Sequence, residues 1–362
     1  MTEEIHLESP LPLYRQMADV LRREIEAQAL APGTRLPTEK DLARRFQVSL
    51  ITVRACVTEL VREGILLRRQ GRGTFIASRK ARATQLITAI VPDLTDYFSA
   101  EIVTGIQSAA LPFGYELVAA SSHDHAQTER MLLDRAVSRG VEGLIIVTGR
   151  GSFANGALVG NRLFMPLILI DSYHPNVEAD CFHTNDVIGA YDATRHLIES
   201  GYQRIGHLAG PKGHFLAELR VNGWRRALRE AGITVENGWL GEAGATAADG
   251  HRGLMALVRQ APALDAVFAY NDLVAIGALR ALAELGRRVP EQFGVAGYGN
   301  HALAAFVHPP LTTIDTAPRQ VGIKAAQRLL ARIREEVPAG DHHKDVLPVR
   351  LITGDSGGHG KG

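Results

Sequence analysis

Cysteine is nearly absent: the 362 residues include only Cys56 and Cys181, 125 positions apart. A disulfide framework or a thiolate metal cluster needs more sulfur than this, so both thiols are read as small buried hydrophobes. No stretch approaches the ~18 consecutive apolar residues of a membrane helix. Met1-Thr2-Glu3-Glu4 is acidic where a leader would carry a basic region ahead of an apolar one, and a cytoplasmic protein without membrane contact is expected. A dominant charge sign is missing as well, with 40 Lys+Arg against 39 Asp+Glu. What is present, 46% hydrophobic and 22% charged residues, excludes disordered and fibrous chains. At ~100–200 residues per domain, this length implies two or three domains.

The near-zero net charge hides an uneven spread. Residues 1–80 hold 14 basic and 10 acidic side chains, the remainder 26 and 29. A basic head on a mildly acidic body suits a polyanion partner for the head, and a phosphate backbone is the commonest. Within the head, Leu13, Met17, Leu21 and Ile25 recur at helical spacing. The segment Ala31-Pro32-Gly33-Thr34-Arg35-Leu36-Pro37 then breaks the helix. Thr38 caps a short helix with Leu42 and Phe46 on its buried side. After the Gln47-Val48 turn, Ser49 caps a second helix whose stripe of Val53, Val57, Leu60 and Val61 runs to a Gly64 stop. Two strands flanking Gln70-Gly71-Arg72-Gly73 close a hairpin. The pattern is a winged helix-turn-helix.

The second helix of such a pair offers its N-terminal end to base edges in the major groove. Ser49, Leu50, Thr52 and Arg54 occupy that end. Thr38, Lys40 and Arg44 on the preceding helix suit backbone phosphates, with Arg45 as the alternative to Arg44. The wing tip Gln70, Gly71, Arg72 and Gly73 suits the minor groove or a phosphate. Pro12-Leu13-Tyr14, Pro32 to Glu39, Leu42-Ala43, Val48-Ser49, Thr52-Val53-Arg54 and Gln70 to Phe75 resemble the DNA-binding domain of the GntR family of bacterial regulators. The resemblance spans about residues 10–77. The family usually carries an arginine after its Val-Ser pair. This chain has Leu50, which implies a lost guanine contact and a thymine methyl as the expected replacement.

Beyond a linker at 78–85, apolar runs at 86–91, 115–119, 143–148, 166–171, 204–209, 265–270 and 293–298 alternate with helical patterns. Strands apolar throughout, separated by helices, predict parallel sheets covered on both faces. The length calls for two α/β lobes, with the ligand in a cleft at the strand ends. The expected fold is thus α/β: an N-terminal winged helix-turn-helix (1–77) and a two-lobed domain of two doubly wound parallel sheets (86–356). Lobe 1 is expected at about 86–186 and 315–342, lobe 2 at about 187–314 and 343–356, and a tail at 357–362.

Polar residues after strands are the ligand candidates: Asp93, Tyr97, Phe98, Asp171, Arg220, Asn271 and Asn300. For Asp171, and for Asp272 beside Asn271, helix capping is the competing reading. Thr194 to Ile198, Arg204 to Gly210, Arg220 to Trp224, Asn271-Asp272, Gly297-Tyr298 and Pro309 to Ile314 resemble the effector domain of the lactose-repressor family, which implies that residues 86–356 form a periplasmic-binding-protein-like effector and dimerisation domain. That resemblance implies sugar-hydroxyl contacts from Asp171, Arg220 and Asn271, with Tyr97 or Phe98 as an aromatic wall. Gly299 stands where many relatives carry an aspartate, which favours a phosphorylated, acidic or larger ligand.

The combined head and body resemble the arabinose-repressor arrangement. It implies a homodimeric regulator, most simply a repressor, that binds a double-stranded operator under control of a sugar, sugar phosphate or sugar acid, with a purine ranked behind them. No hinge helix is read in the linker, so control is expected to run through lobe closure that re-spaces two heads. No enzyme is expected, and no cofactor or metal is implied. His123-Asp124-His125 and His342-His343 read as solvated loops, and Gly149-Arg150-Gly151 is too short for a dinucleotide fingerprint. A transport-type sugar-binding protein would have no use for the head.

Overall fold

The computed structural model describes residues 11–27, 30, 34–69, 73–76, 84–149, 165–171, 179–338 and 341–358. The chain divides into two compact units, Met1–Ile87 with Met131–Glu142 and Thr88–Arg130 with Gly143–Gly362. The first carries the head: α1 (Leu13–Ala27), α2 (Glu39–Phe46), α3 (Leu50–Arg62), β1 (Leu66–Arg69) and β2 (Gly73–Ile76). Met17, Leu21, Leu42, Val53, Cys56, Val57, Leu60 and Leu66 form its core. The predicted caps are present. Thr38 Oγ1 accepts from Asp41 N at 3.2 Å, and Ser49 Oγ from Thr52 N at 3.1 Å. The helix-turn-helix bend falls on Gln47, which sits in the left-handed region with φ 53°. Strands β1 and β2 pair antiparallel from Leu66↔Ile76 to Arg69↔Gly73. The linker at 78–83 lies outside the described residues.

The body is built from β3 (Leu86–Val91), α4 (Tyr97–Ala110), β4 (Glu116–Ser121), α5 (Ala126–Ser138), β5 (Gly143–Val147), β6 (Leu167–Ile170) and β7 (Asp180–Thr184). It continues with α6 (Asp186–Glu199), β8 (Ile205–Ala209), α7 (Phe215–Glu230), β9 (Leu240–Glu242), α8 (Ala247–Gln260), β10 (Ala266–Ala269), α9 (Asp272–Glu284) and β11 (Gly294–Ala296). The last elements are β12 (Thr313–Asp315), α10 (Pro318–Ile333), β13 (Lys344–Leu347) and β14 (Arg350–Ile352).

Two sheets result, of orders β13-β7-β6-β5-β3-β4 and β11-β10-β8-β9. The β5–β6–β7–β13 and β9–β8–β10–β11 pairings are parallel. Apolar-throughout strands such as β5 and β10 are buried at every position, as parallel sheets sandwiched by helices require. One lobe boundary differs from expectation: β13 pairs with β7 in the first sheet, whereas residues from 343 onward had been assigned to the second lobe. Lys344 and Asp345 gave this edge strand no apolar run to detect. Residues in β7–α6 and β12–α10 carry the chain between the sheets, and β12 pairs antiparallel with β14 beside them.

Helices α4 and α10 approach closely because each has a glycine at the crossing. A Cβ on Gly105 would lie 2.1 Å from Arg319 O, and one on Gly322 2.2 Å from Ile102 O. In the second lobe Trp224 is fully buried and its Nε1 donates to Ile205 O at 3.1 Å. None of the described helices is long and apolar enough to cross a membrane.

Candidate DNA-reading face and ligand cleft

The start of α3 is the candidate reading end of the head. Ser49 and Thr52 are joined Oγ to Oγ1 at 2.8 Å, which fixes the cap. Leu50 is 38% exposed and Ile51 79%. Ile51 was missed by sequence reasoning, which assigns apolar residues to the core. Its position off the Val53–Val57–Leu60 stripe was the available signal. Arg54 is 64% exposed, and its Nε donates to Glu39 Oε2 at 3.0 Å. Glu39 Oε1 in turn accepts from Arg68 of β1.

The two arginines at the end of α2 separate clearly. Arg45 pairs with Glu24 and stacks over Phe46, its Cζ 4.9 Å from the ring centroid, whereas Arg44 is exposed with Asp41 3.7 Å away. Lys40 is exposed. Thr38 is committed to the cap, since its hydroxyl also donates to Asp41 at 2.5 Å. Gly73 adopts φ 110° at the wing, where a side chain would be strained. Gln70, Gly71 and Arg72 lie outside the described residues.

In the body, Asp171 and Arg220 come together through a residue the sequence reading passed over. Asp186, the first residue of α6, has a fully buried side chain. Its Oδ1 accepts from Arg220 Nε at 2.8 Å and its Oδ2 from Thr184 Oγ1 at 3.0 Å. Arg220 Nη1 donates to Tyr270 O at 2.7 Å. The guanidinium carbon lies 3.9 Å from the ring centroid of Tyr298 and 4.6 Å from that of Tyr270. Burial alone would lower the Arg220 pKa, but Asp186 and the two tyrosines hold it above its ordinary value.

Asp171 ends β6 in the left-handed region, φ 55°. Burial pushes its carboxyl up to about 8, reinforced by the charge of Asp186 and opposed by Arg220 and the Thr184 N–H. Among the described residues its Oδ1 is buried without a hydrogen-bond partner. The Tyr298 hydroxyl faces Asp186 but makes no hydrogen bond of good geometry. One guanidinium thus stands in a dry site already neutralised by Asp186, beside an Asp171 carboxyl that keeps its proton at neutral pH and has an oxygen to spare.

The other candidates divide. Asn271 caps α9, its Oδ1 accepting from Val274 N at 2.8 Å and its Nδ2 donating to Ala245 O at 2.9 Å. This leaves one amide hydrogen outside the cap. Asp272 follows the cap rather than serving as it. It accepts from Thr313 Oγ1 and His301 N, both at 2.6 Å, and burial raises its carboxyl to about 6. Asp171 caps no helix. Asp93 is exposed and spends Oδ1 on Thr95 N and Oγ1, both at 2.8 Å.

Tyr97 and Asn300 line a separate crevice of about 300 Å³ with Glu101, Asp315 and Arg319. There the Tyr97 ring lies against His301, centroids 4.6 Å apart and planes tilted by 43°. Phe98 is half-buried beside it. Tyr270 and Tyr298 also went unread, although both follow strands and the strand-end rule covers them.

A family profile described as periplasmic binding proteins and sugar-binding domain of the LacI family matches residues 84–353. The chain belongs to that family. A second profile, bacterial regulatory proteins of the gntR family, matches residues 13–76. The repressor CytR of Escherichia coli K12 is 29% identical over 324 residues, 85% of this chain and 93% of CytR. The ribose operon repressor of Haemophilus influenzae is 29% identical over 331 residues, 89% of this chain and 98% of its own length. Among solved structures, the transcriptional regulator CelR in complex with cellobiose matches with a TM-score of 0.69 at 26% identity, over 86% of this chain and 92% of its own. The chain is therefore a DNA-binding transcription regulator under ligand control, and not an enzyme.

Proposed function

We propose that this regulator is a cytoplasmic homodimeric repressor whose operator affinity is set by an uncharged sugar or sugar derivative held between the lobes. The observation that carries the ligand class is the charge balance around Arg220. Among the described residues it is the cation of the cluster, and Asp186 already neutralises it at 2.8 Å. A phosphate or acid would meet an Arg220 already neutralised by Asp186 and no second cation in the cluster, whereas a sugar hydroxyl can donate to the unsatisfied Asp171 Oδ1. This reverses the expectation drawn from Gly299. Relatives support the class: CelR was solved with cellobiose and an Enterococcus faecium regulator with ribose.

In this reading Asp171 and Arg220 hold hydroxyls, with Asp186 fixing Arg220. Asn271 offers its remaining amide hydrogen, while Tyr97 and Asn300, in their separate crevice, and the neighbouring Phe98 meet the ligand at most at its edge. Asp93 is a peripheral contact at most. Base reading falls to Leu50, Thr52 and Arg54, with Ser49 at the helix start. Lys40, Arg44 and the wing residues Gln70 to Gly73 take phosphates, and Thr38 acts by fixing α2. The head ends near residue 77 and the lobes span about 86–356. Ligand acts by favouring one lobe arrangement over another.

Phe306, 85% exposed, and the half-exposed Leu303 present apolar surface suited to a second copy. Sedimentation at micromolar concentration tests the dimer, and a monomer under those conditions contradicts it. A thermal-shift panel of neutral sugars, sugar phosphates, sugar acids and purines tests the ligand class. A neutral sugar is expected to raise the melting temperature. Shifts confined to sugar phosphates or acids would overturn the charge argument.

A further inference from the structure

We propose that Glu39 is a positioning residue that determines how well the head distinguishes its operator from other DNA. The proposal starts from how its carboxylate is divided. Oε2 accepts from Arg54 Nε of α3 at 3.0 Å, and Oε1 accepts from Arg68 Nη2 of β1. One acidic side chain at the start of α2 therefore ties the reading helix to the wing. Glu39 is half-buried, whereas both arginines are largely exposed.

An ion pair this exposed adds little to stability, because water and salt screen it. Its effect falls on binding. A guanidinium has five N–H donors, and Glu39 takes only the one on Nε. Among the described residues the terminal nitrogens of Arg54 make no hydrogen bond, and their stem is restrained, so less side-chain freedom is lost when they meet a base. The carboxylate also acts against the wrong partner. A phosphate approaching Arg54 comes within range of the Glu39 charge and is repelled. The neutral acceptors on a guanine edge carry no net charge and are not. Loose electrostatic binding to any duplex is thereby weakened more than base reading is.

The test uses the full chain and two duplexes of equal length: one enriched from random sequence by the wild-type protein, and a scrambled one. Affinities are read by fluorescence anisotropy across a salt series. For Glu39→Gln, tighter binding to the scrambled duplex and weaker binding to the enriched one are expected. The ratio between them should fall about tenfold, the size of one charge-assisted hydrogen bond. The salt slope on the scrambled duplex should steepen by about 0.9, the value for one more phosphate engaged. In an Arg54→Ala background the same substitution should change the ratio far less, because Glu39 acts through that side chain. An unchanged ratio and slope would overturn the proposal. So would equal weakening on both duplexes with a lower melting temperature, which marks a purely structural role. If the wild-type chain enriches no sequence at all, the base-reading assignment of α3 fails first and takes this proposal with it.

Discussion

Arg54 in the head and Arg220 in the body are both held by a carboxylate, at 3.0 and 2.8 Å. Their surroundings make them opposites. Arg54 stands in water beside Glu39, where the pair is worth roughly 0–1 kcal/mol and can be exchanged for a base edge at little cost. Arg220 lies between two tyrosine rings with a fully buried Asp186, where a lost partner leaves an uncompensated charge. The same pairing chemistry thus leaves one arginine exchangeable at one end of the chain and the other fixed, as the proposed roles in recognition and ligand binding require. Dielectric environment, not residue type, makes the difference.

The sharpest way to break this contrast is to delete a carboxylate in the body. Asp186→Ala should cost about 3–5 kcal/mol of stability, because it strands Arg220; denaturant midpoints measure it, and a cost under about 1 kcal/mol would equate the two sites. Arg54→Ala should instead leave stability within about 0.5 kcal/mol while removing about 1–3 kcal/mol of operator discrimination. Anisotropy with the enriched duplex reads the second number, and calorimetry the first.

The third expectation concerns pH. The Asp171 carboxyl is raised to about 8, so the folded chain holds a proton that the unfolded chain releases near pH 4. The folded state binds more protons between those values, and this contribution to stability falls as pH rises through the window. A hydroxyl donated to Asp171 favours its ionised form, so neutral-sugar affinity should weaken by up to about tenfold per unit below pH 8. Asp171→Asn should flatten the profile, and an equally steep profile in that variant would assign the titration elsewhere.

Much of the architecture was legible beforehand. The helix-turn-helix came from two caps and a buried stripe, and the lobes from apolar strands alternating with helices. Strands such as β7 (Asp-Cys-Phe-His-Thr) and β13 lacked that pattern because they are short and polar-flanked, and register with a neighbour defines them. Asp171 and Arg220 were named as ligand candidates from their strand-end positions, and the structure gathers both around Asp186. Asp186 was not, because a carboxylate in a helix's first turn reads equally well as a response to the helix dipole. Only the fold brings Arg220 to it from 34 residues away. Asn271 shows the reverse. Its strand-end position made it a ligand candidate, but most of its hydrogen-bonding capacity goes to the cap.

The most direct measurement is operator affinity with and without the neutral sugar that raises the melting temperature, in wild type and in Arg220→Lys. The lysine keeps the charge beside Asp186 but loses the fork that spans two acceptors. The sugar is expected to shift wild-type operator affinity at least about tenfold, the usual scale of coupling between two sites, and to leave the variant unmoved. A sugar that binds the wild-type chain yet leaves operator affinity unchanged would contradict control through this cleft.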